Sequence, residues 1–369
     1  MLIGIHTRPA VFSAKALDLF ILSVDYFGDV DLKEAADLSR SIRNQEPYKS
    51  SGRISENYSS ERLAELAKDL DADYTILTSS ANIKRRVVGN PLEKVIKLKD
   101  KEFQLKKVKR LGINVPEFEV VKDRDDAMEA AENLGFPCVL KPVRGAGGRD
   151  VILAKTADDV PEIEERYIVQ RYAEGMPIST STLSTKNDSI LLSTSEQILG
   201  SPLLGQVGFV YCGSITPLNN LEKKGLSELE DISVKVSKAF RVVGWNGIDF
   251  VADKEPVFIE INPRFQGTFD CIERSYNINL LDAHVRACER ELIESPIPTK
   301  TTVRMTLFAK ERCIVNEDLQ GLAVDVPLKN SIIEKGEPVT TIITSGTREE
   351  AVSRCKNLVK RVYERSLLP

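Results

Sequence analysis

Histidine is nearly missing from this chain of 369 residues, which holds only His6 and His284. A zinc centre built mainly from histidine is therefore disfavoured, and a Ser-His-Asp triad could draw only on one of those two. Paired cysteines are missing too. Cys138, Cys212, Cys271, Cys288, Cys313 and Cys355 are scattered with no CxxC spacing. That pattern argues against a disulfide framework and a zinc ribbon and leaves reduced, mostly buried thiols. No uncharged apolar run approaches the roughly 20 residues needed to cross a bilayer. The densest, LFILSV at 19–24, is far shorter. No basic segment precedes the apolar opening and no cleavage-site pattern follows it, so a soluble cytoplasmic protein is expected, with no membrane partner. Excess positive charge is also lacking: 51 Lys and Arg stand against 55 Asp and Glu, a net charge of −4. A broad basic surface for nucleic acid is disfavoured, whereas small anionic ligands stay open.

What remains is ordinary globular stock, 42% hydrophobic and 29% charged. At ~100–200 residues per domain, the length allows two or three domains. Residues 2–6 and 20–25 are short apolar runs around a helix-like segment, the opening of a parallel sheet. A helical pattern at 60–70 and a strand pattern at 73–78 continue it, so residues 1–95 read as an N-terminal α/β domain. After the first strand comes His6-Thr7-Arg8-Pro9 instead of GxGxxG, which removes the glycines a dinucleotide pyrophosphate needs. His6, Thr7 and Arg8 stand where an open α/β sheet places ligands, or they shape the turn before Pro9. His284, at helical spacing from Leu281 and Cys288, reads as a packed histidine.

Two segments carry chemistry. The first is FPCVLKPV, RGAGGRD and VILAK, read as strand, glycine-rich loop and returning strand. Unobstructed backbone N–H groups at Gly145, Gly147 and Gly148 suit a polyphosphate, with Lys141 at the base of the loop; an ordinary glycine hairpin is the competing reading. The second is GIDFVADKEPVFIEINPR. Pairing Ala252 with Val257 across a four-residue turn sets Asp249 opposite Glu260, with Asn262 on the same face as Glu260. Opposed carboxylates repel unless a cation lies between them, and Asp, Glu and Asn are hard oxygen ligands suited to Mg²⁺ shared with phosphates.

Lys141 before a glycine-rich hairpin, the strand IVQRYAEG and GIDFV…FIEINPRFQGT, in that order, resemble the ATP-grasp superfamily of carboxylate ligases. More narrowly, the chain is similar to the archaeal predicted ATP-dependent carboligases related to biotin carboxylase. The resemblance implies a mixed α/β and α+β protein with an ATP-grasp fold. An N-terminal Rossmann-like domain (1–95) would precede an ATP-grasp body (96–300), with a glycine-flap lobe at about 115–175 and a metal lobe at about 176–300. A small closing subdomain (301–369) would follow. It also implies that Lys101 and Lys141 contact ATP phosphates and that Gln170, Arg171 and Tyr172 supply the strand beside adenine. Asp249, Glu260 and Asn262 would hold Mg²⁺, or Mn²⁺ in its place, and Arg264 would act near the γ-phosphate. Lys101 shares its helix with Lys106, Lys107 and Lys109, a pattern that also fits a solvated face. Arg264 has a rival reading as an ion pair with Glu273 or Asp270. The family's usual ribose glutamate is not at its place, because Met176, Pro177, Ile178 and Ser179 follow Gly175.

The function so implied is an ADP-forming ligase that activates a small-molecule carboxylate as an acyl phosphate and joins it to an amine. Biotin-carboxylase-like bicarbonate activation and a catalytically silent ATP-binding regulator are the alternatives. The related branch commonly forms homodimers.

Overall fold

The computed structural model describes residues 1–145, 147–148, 150–219 and 221–368. Ala146 and Arg149, inside the glycine-rich segment, lie outside them. The described residues form four sheets. The N-terminal sheet is parallel, ordered Leu38–Ser41, Leu22–Asp25, Leu2–Ile3, Ile76–Leu77. Its opening helix, Arg8–Lys15, carries Pro9 in the first turn, where no backbone N–H is needed.

The second sheet is antiparallel and ordered Phe118–Val121, Tyr167–Arg171, Cys138–Pro142, Ile152–Ala154. Helix Arg124–Leu134 covers it. The Asp123 side chain caps that helix at the Asp126 N–H, and Ala127, Ala130, Ala131 and Leu134 turn inward at helical spacing. The strands Cys138–Pro142 and Ile152–Ala154 bracket the glycine-rich loop, the strand, loop and strand order read from the sequence.

The third sheet has seven strands in the order Pro256–Asn262, Gly244–Ala252, Met176–Ser184, Ser189–Leu199, Tyr211–Thr216, Thr301–Phe308, Pro338–Gly346. Helix Lys223–Phe240 packs on it through the buried Leu229 and Val236. Its last two strands come from the 301–369 segment, so that segment shares a sheet with the 176–300 lobe, and the boundary at 300 cuts between neighbouring strands. A small sheet of Ile332–Ile333, Cys313–Val315 and Leu367–Leu368 completes the C-terminal part. Among the described residues no helix is long and apolar enough to cross a membrane.

One central strand, Met176–Ser184, escapes a hydrophobicity reading. It is made mostly of Ser and Thr, yet Ser179, Thr180, Ser181, Thr182 and Ser184 are buried. Burial of their hydroxyls is tolerable because partners are supplied. Thr180 Oγ1 lies 2.8 Å from Ser233 Oγ and Thr182 Oγ1 2.9 Å from Ser237 Oγ, both on the covering helix. Small side chains on this strand let the helix approach and bring Ser179 opposite Asp249.

Candidate active site

A cavity of about 450 Å³ lies between the glycine-loop sheet and the seven-stranded sheet. Its metal-ligand candidates come from the strands Gly244–Ala252 and Pro256–Asn262. Asp249 pairs with Glu260, as expected, although the turn is tighter than the sequence reading had it: Ala252 pairs with Pro256. Ile259 is left over between the pairs Phe250–Phe258 and Asp249–Glu260, a β-bulge that restores the opposition. Asn262 Nδ2 donates to Asp249 Oδ2 at 3.0 Å and to Glu260 Oε1 at 2.9 Å, so all three side chains meet. Gln197 Nε2 donates to Asp249 Oδ1 at 3.0 Å.

The electrostatics of the pair are uneven. Burial, then the charge of Glu260, push the Asp249 carboxyl up. Burial also works against Glu260, but Lys101, Asn262 and Lys141 together hold it below the usual carboxylate range. Two half-buried carboxylates with one driven toward its neutral form are a place where a divalent cation is favoured. Among the described residues no group of three His, Cys, Asp or Glu side chains is gathered for a metal. Two carboxylates and one amide fit an ion that takes its other ligands from phosphate.

Lys101 and Lys141 are both buried and line this cavity. Lys101 Nζ donates to the Gly145 carbonyl at 2.7 Å and stands 3.7 Å from Glu260 Oε2. It reaches this place because Asp100 caps its helix at Phe103 N–H and because Gln104 clips the helix to the edge strand. The Ile261 N–H donates to Gln104 Oε1 at 2.7 Å, and Gln104 Nε2 donates to the Ile261 carbonyl at 3.1 Å. Lys101 therefore departs from its solvated helix-mates Lys106 and Lys109. Burial, opposed by Glu260 and reinforced by Lys101, lowers Lys141 to about 8. Gly145, Gly147 and Gly148 line the cavity as well. Gly148 has φ +75°, and a Cβ there would lie 2.0 Å from the Phe209 carbonyl oxygen, so the loop tip rests on the far wall through bare backbone.

Gln170 and Tyr172 line the cavity, but the Arg171 side chain does not: it turns outward to Glu117, at 2.9 Å. Strand alternation sends neighbours to opposite faces, so Arg171 can serve the cavity only through its backbone. Arg264 lines the cavity and donates to the Phe265 carbonyl at 3.0 Å and to Asn262 Oδ1 at 3.4 Å. Its rival reading fails in geometry. Asp270 is forked by Arg8 at 2.9 and 2.6 Å, and Glu273 accepts from Ser13 Oγ and the Leu280 N–H.

The same fork settles Arg8, which is buried against Asp270 and against Asp325 at 2.6 Å, with His6 also on Asp325. His6 and Arg8 thus tie the N-terminal segment to Asp325 of the 301–369 segment, and Arg8 ties it also to Asp270. Ser179, Gln197, Tyr211, Gln266 and Thr268 line the cavity without having been singled out from the sequence. Gln266 and Thr268 continue EINPRF and were legible as its extension; Tyr211 and Gln197 arrive from strands whose register no short motif reveals.

A family model for the ATP-grasp domain matches residues 98–268. The uncharacterized protein MJ0776 of Methanocaldococcus jannaschii is 32% identical over 99% of this chain and 91% of its own length. The chain belongs to the ATP-grasp family. Solved ATP-grasp structures share its fold from end to end. The biotin carboxylase domain dimer of Hydrogenobacter thermophilus 2-oxoglutarate carboxylase, in complex with MgADP, ADP and bicarbonate, has a TM-score of 0.75 at 15% identity, covering 96% of this chain and 88% of that one. Phosphoribosylamine–glycine ligase of Thermotoga maritima has a TM-score of 0.74 at 15% identity, covering 98% and 95%. At these identities the likeness is one of fold.

Proposed function

We propose that this ATP-grasp chain is an ADP-forming ligase joining a carboxylate to an amine through an acyl phosphate. The observation that carries the reading is the opposed Asp249–Glu260 pair, bridged by Asn262 and set beneath two buried lysines at the foot of the glycine loop. Phosphoryl transfer needs positioning and charge neutralisation more than a nucleophilic side chain, which suits a chain with two histidines, one packed away and one tied to Asp325.

In this reading a substrate carboxylate oxygen bonds to the γ-phosphorus as the bond to the β-phosphate oxygen breaks, giving acyl phosphate and ADP. The amine nitrogen then bonds to the acyl carbon, loses a proton, and phosphate leaves. Lys101 and Lys141 face the phosphates, while Gly145, Gly147 and Gly148 offer backbone N–H groups. Gln170, Tyr172 and the backbone of Arg171 flank adenine. Arg264 supplies a fixed cation where charge gathers on the transferring group. Asp249, Glu260 and Asn262 would hold Mg²⁺, or Mn²⁺, which when bound neutralises phosphate charge. A homodimer is part of the proposal, checked by mass in solution.

The test is ADP release with a panel of carboxylic acids and hydroxylamine as a general amine. Acid-dependent release with hydroxamate formation is expected. Release only with bicarbonate and biotin would favour the carboxylase alternative, and tight Mg-ATP binding without release under any acid would favour the silent regulator.

A further inference from the structure

Three polar atoms in the wall of the cavity have nothing to bond to. Tyr211, Gln266 and Thr268 all line it, yet Tyr211 OH, Gln266 Nε2 and Thr268 Oγ1 are buried with no hydrogen-bond partner among the described residues. Buried polar groups are almost always satisfied, and one left alone keeps the whole cost of losing water. A single ligand group reaching all three would satisfy them.

The backbone seats these side chains closely. Gly267 stands between Gln266 and Thr268, and a Cβ on it would lie 2.6 Å from Tyr211 Cε1 and 2.8 Å from the hydroxyl, so the phenol rests on bare backbone. Arg304, 5% exposed, fixes that backbone by donating from Nη1 to the Gly267 carbonyl at 2.8 Å. Gln266 lies over Gly247 in the same way, where a Cβ would fall 1.7 Å from Nε2. Its Oε1 accepts from Ser179 Oγ at 3.2 Å, and Ser179 pairs with Asp249, so the unmatched Nε2 stands beside the metal pair. Thr268 is the N-cap of helix Phe269–Tyr276, yet it makes no capping bond, although threonine is a residue that ordinarily caps, and it is 2% exposed. Burial pushes the Tyr211 hydroxyl up to about 12, so at neutral pH it is a donor and not an anion. Ser214 Oγ, which acts on that hydroxyl, is itself turned to Cys271 Sγ at 3.6 Å.

We infer that Tyr211 is a catalytic residue whose hydroxyl, with Thr268 Oγ1 and Gln266 Nε2, receives the acyl oxygen of the acyl phosphate and holds the negative charge that gathers there when the amine attacks. This rests on the ligase reading of the cavity. As the amine nitrogen bonds to the acyl carbon, the C=O π pair moves onto the acyl oxygen, where three neutral donors meet it. The double bond re-forms as the bond from carbon to the phosphate oxygen breaks, and the departing phosphate takes that pair and a proton from nitrogen. Donors placed for a developing oxyanion act more strongly on it than on the ground-state carbonyl. Thr268 and Gln266 turn about their own side-chain torsions to meet the ligand. Arg264 and the two lysines are left to the phosphates, and the amide-forming step has donors of its own.

The experiment uses the full chain labelled with 3-fluorotyrosine and loaded with Mg²⁺ and ADP. Acetyl phosphate is the probe and inorganic phosphate the control, and the Tyr211→Phe variant identifies the Tyr211 fluorine resonance among nine tyrosines. Acetyl phosphate is expected to move that resonance, and inorganic phosphate to leave it in place. Tyr211→Phe is expected to bind acetyl phosphate about tenfold more weakly and ADP as before. It should melt no lower than the parent, since the free chain loses no hydrogen bond. With any acid that supports turnover, the variant should form hydroxamate about a hundredfold more slowly while first-turnover ADP release is little changed. The inference is overturned if acetyl phosphate leaves the resonance unmoved, if inorganic phosphate moves it as far, or if the variant binds acetyl phosphate like the parent. It is overturned too if the variant melts well below the parent, or if its ADP release slows as much as its hydroxamate formation. Because the resonance and the binding are read without turnover, absent ADP release would sink the ligase reading alone.

Discussion

Asp249 and Glu260 face each other because Ile259 is left out of the ladder between their strands. Strict alternation would put Phe258 and Glu260 on one face. The bulge separates them: Phe258 joins Phe250 in the core, with ring centroids 6.1 Å apart, while Glu260 turns with Asp249 to the cavity. A single extra residue thereby lets one short strand serve a hydrophobic core and a charged site at once.

Glu260→Gln follows directly. The substitution keeps shape but removes a carboxylate that Lys101, Asn262 and Lys141 hold ionised below the usual range, so in metal-free buffer the variant should melt lower than the parent, with part of the loss offset by relief of Asp249. With nucleotide and metal, turnover should fall by about 10²–10³-fold, the range for removing one preorganised electrostatic group. Calorimetric melting and ADP release check the two halves; parental turnover would remove Glu260 from the metal site.

Arg264→Met separates a role in the cavity from a structural one. Its two acceptors are the Phe265 carbonyl and Asn262, and its charge also helps to keep Asp249 and Glu260 ionised. Stability should fall by about 1 kcal/mol in urea titration, the typical cost of a point substitution. Turnover should fall about a hundredfold with the nucleotide KM little altered. A large loss of stability with normal turnover would make Arg264 an architectural residue.

Much of this site was legible because its residues lie in short stretches with strong periodicity. GIDFVADKEPVFIEIN fixes a hairpin by its apolar alternation, so Asp249 could be set against Glu260 from residue spacing alone. The bulge could not be foreseen, since a one-residue slip in the turn and one in the strand cancel. Strand Met176–Ser184 stayed hidden because its buried side chains are hydroxyls whose partners, Ser233 and Ser237, are more than fifty residues away. The fates of Arg8 and Arg171 were hidden for a related reason. Asp270 lies 262 residues from Arg8, and which face of its strand Arg171 occupies depends on a register that sequence leaves open.

Gly148→Ala tests whether the loop tip must rest on the opposite wall. Alanine at φ +75° is strained, and its Cβ would overlap the Phe209 carbonyl at 2.0 Å, a backbone atom that cannot swing aside. The loop should be held off, raising the nucleotide KM by about tenfold or more, with thermal stability of the nucleotide-free chain unchanged because the tip contributes little core. Steady-state kinetics beside melting curves distinguish this from general unfolding, which would move both.

His284 should make the fold sensitive to mild acid. It is 3% exposed, its Nδ1 accepts the Trp245 N–H at 2.9 Å, and its Nε2 donates to the Val88 carbonyl at 3.1 Å. Both ring nitrogens are satisfied only in the neutral form, because a proton on Nδ1 would confront the Trp245 N–H. Burial lowers its pKa from 6.5 to about 4, with the Val88 bond opposing. The folded value lies below the unfolded one, so the unfolded chain takes up the proton first as pH falls. The stabilisation is complete above the unfolded pKa and is lost as pH drops from 6.5 toward 4, roughly 3 kcal/mol across the whole window. His284→Gln keeps an acceptor and a donor but cannot titrate. Between about pH 7.5 and about pH 5, urea titrations should therefore show the parent losing roughly 2 kcal/mol more than the variant. Equal losses in the two proteins would mean that His284 is not the group whose protonation opposes folding.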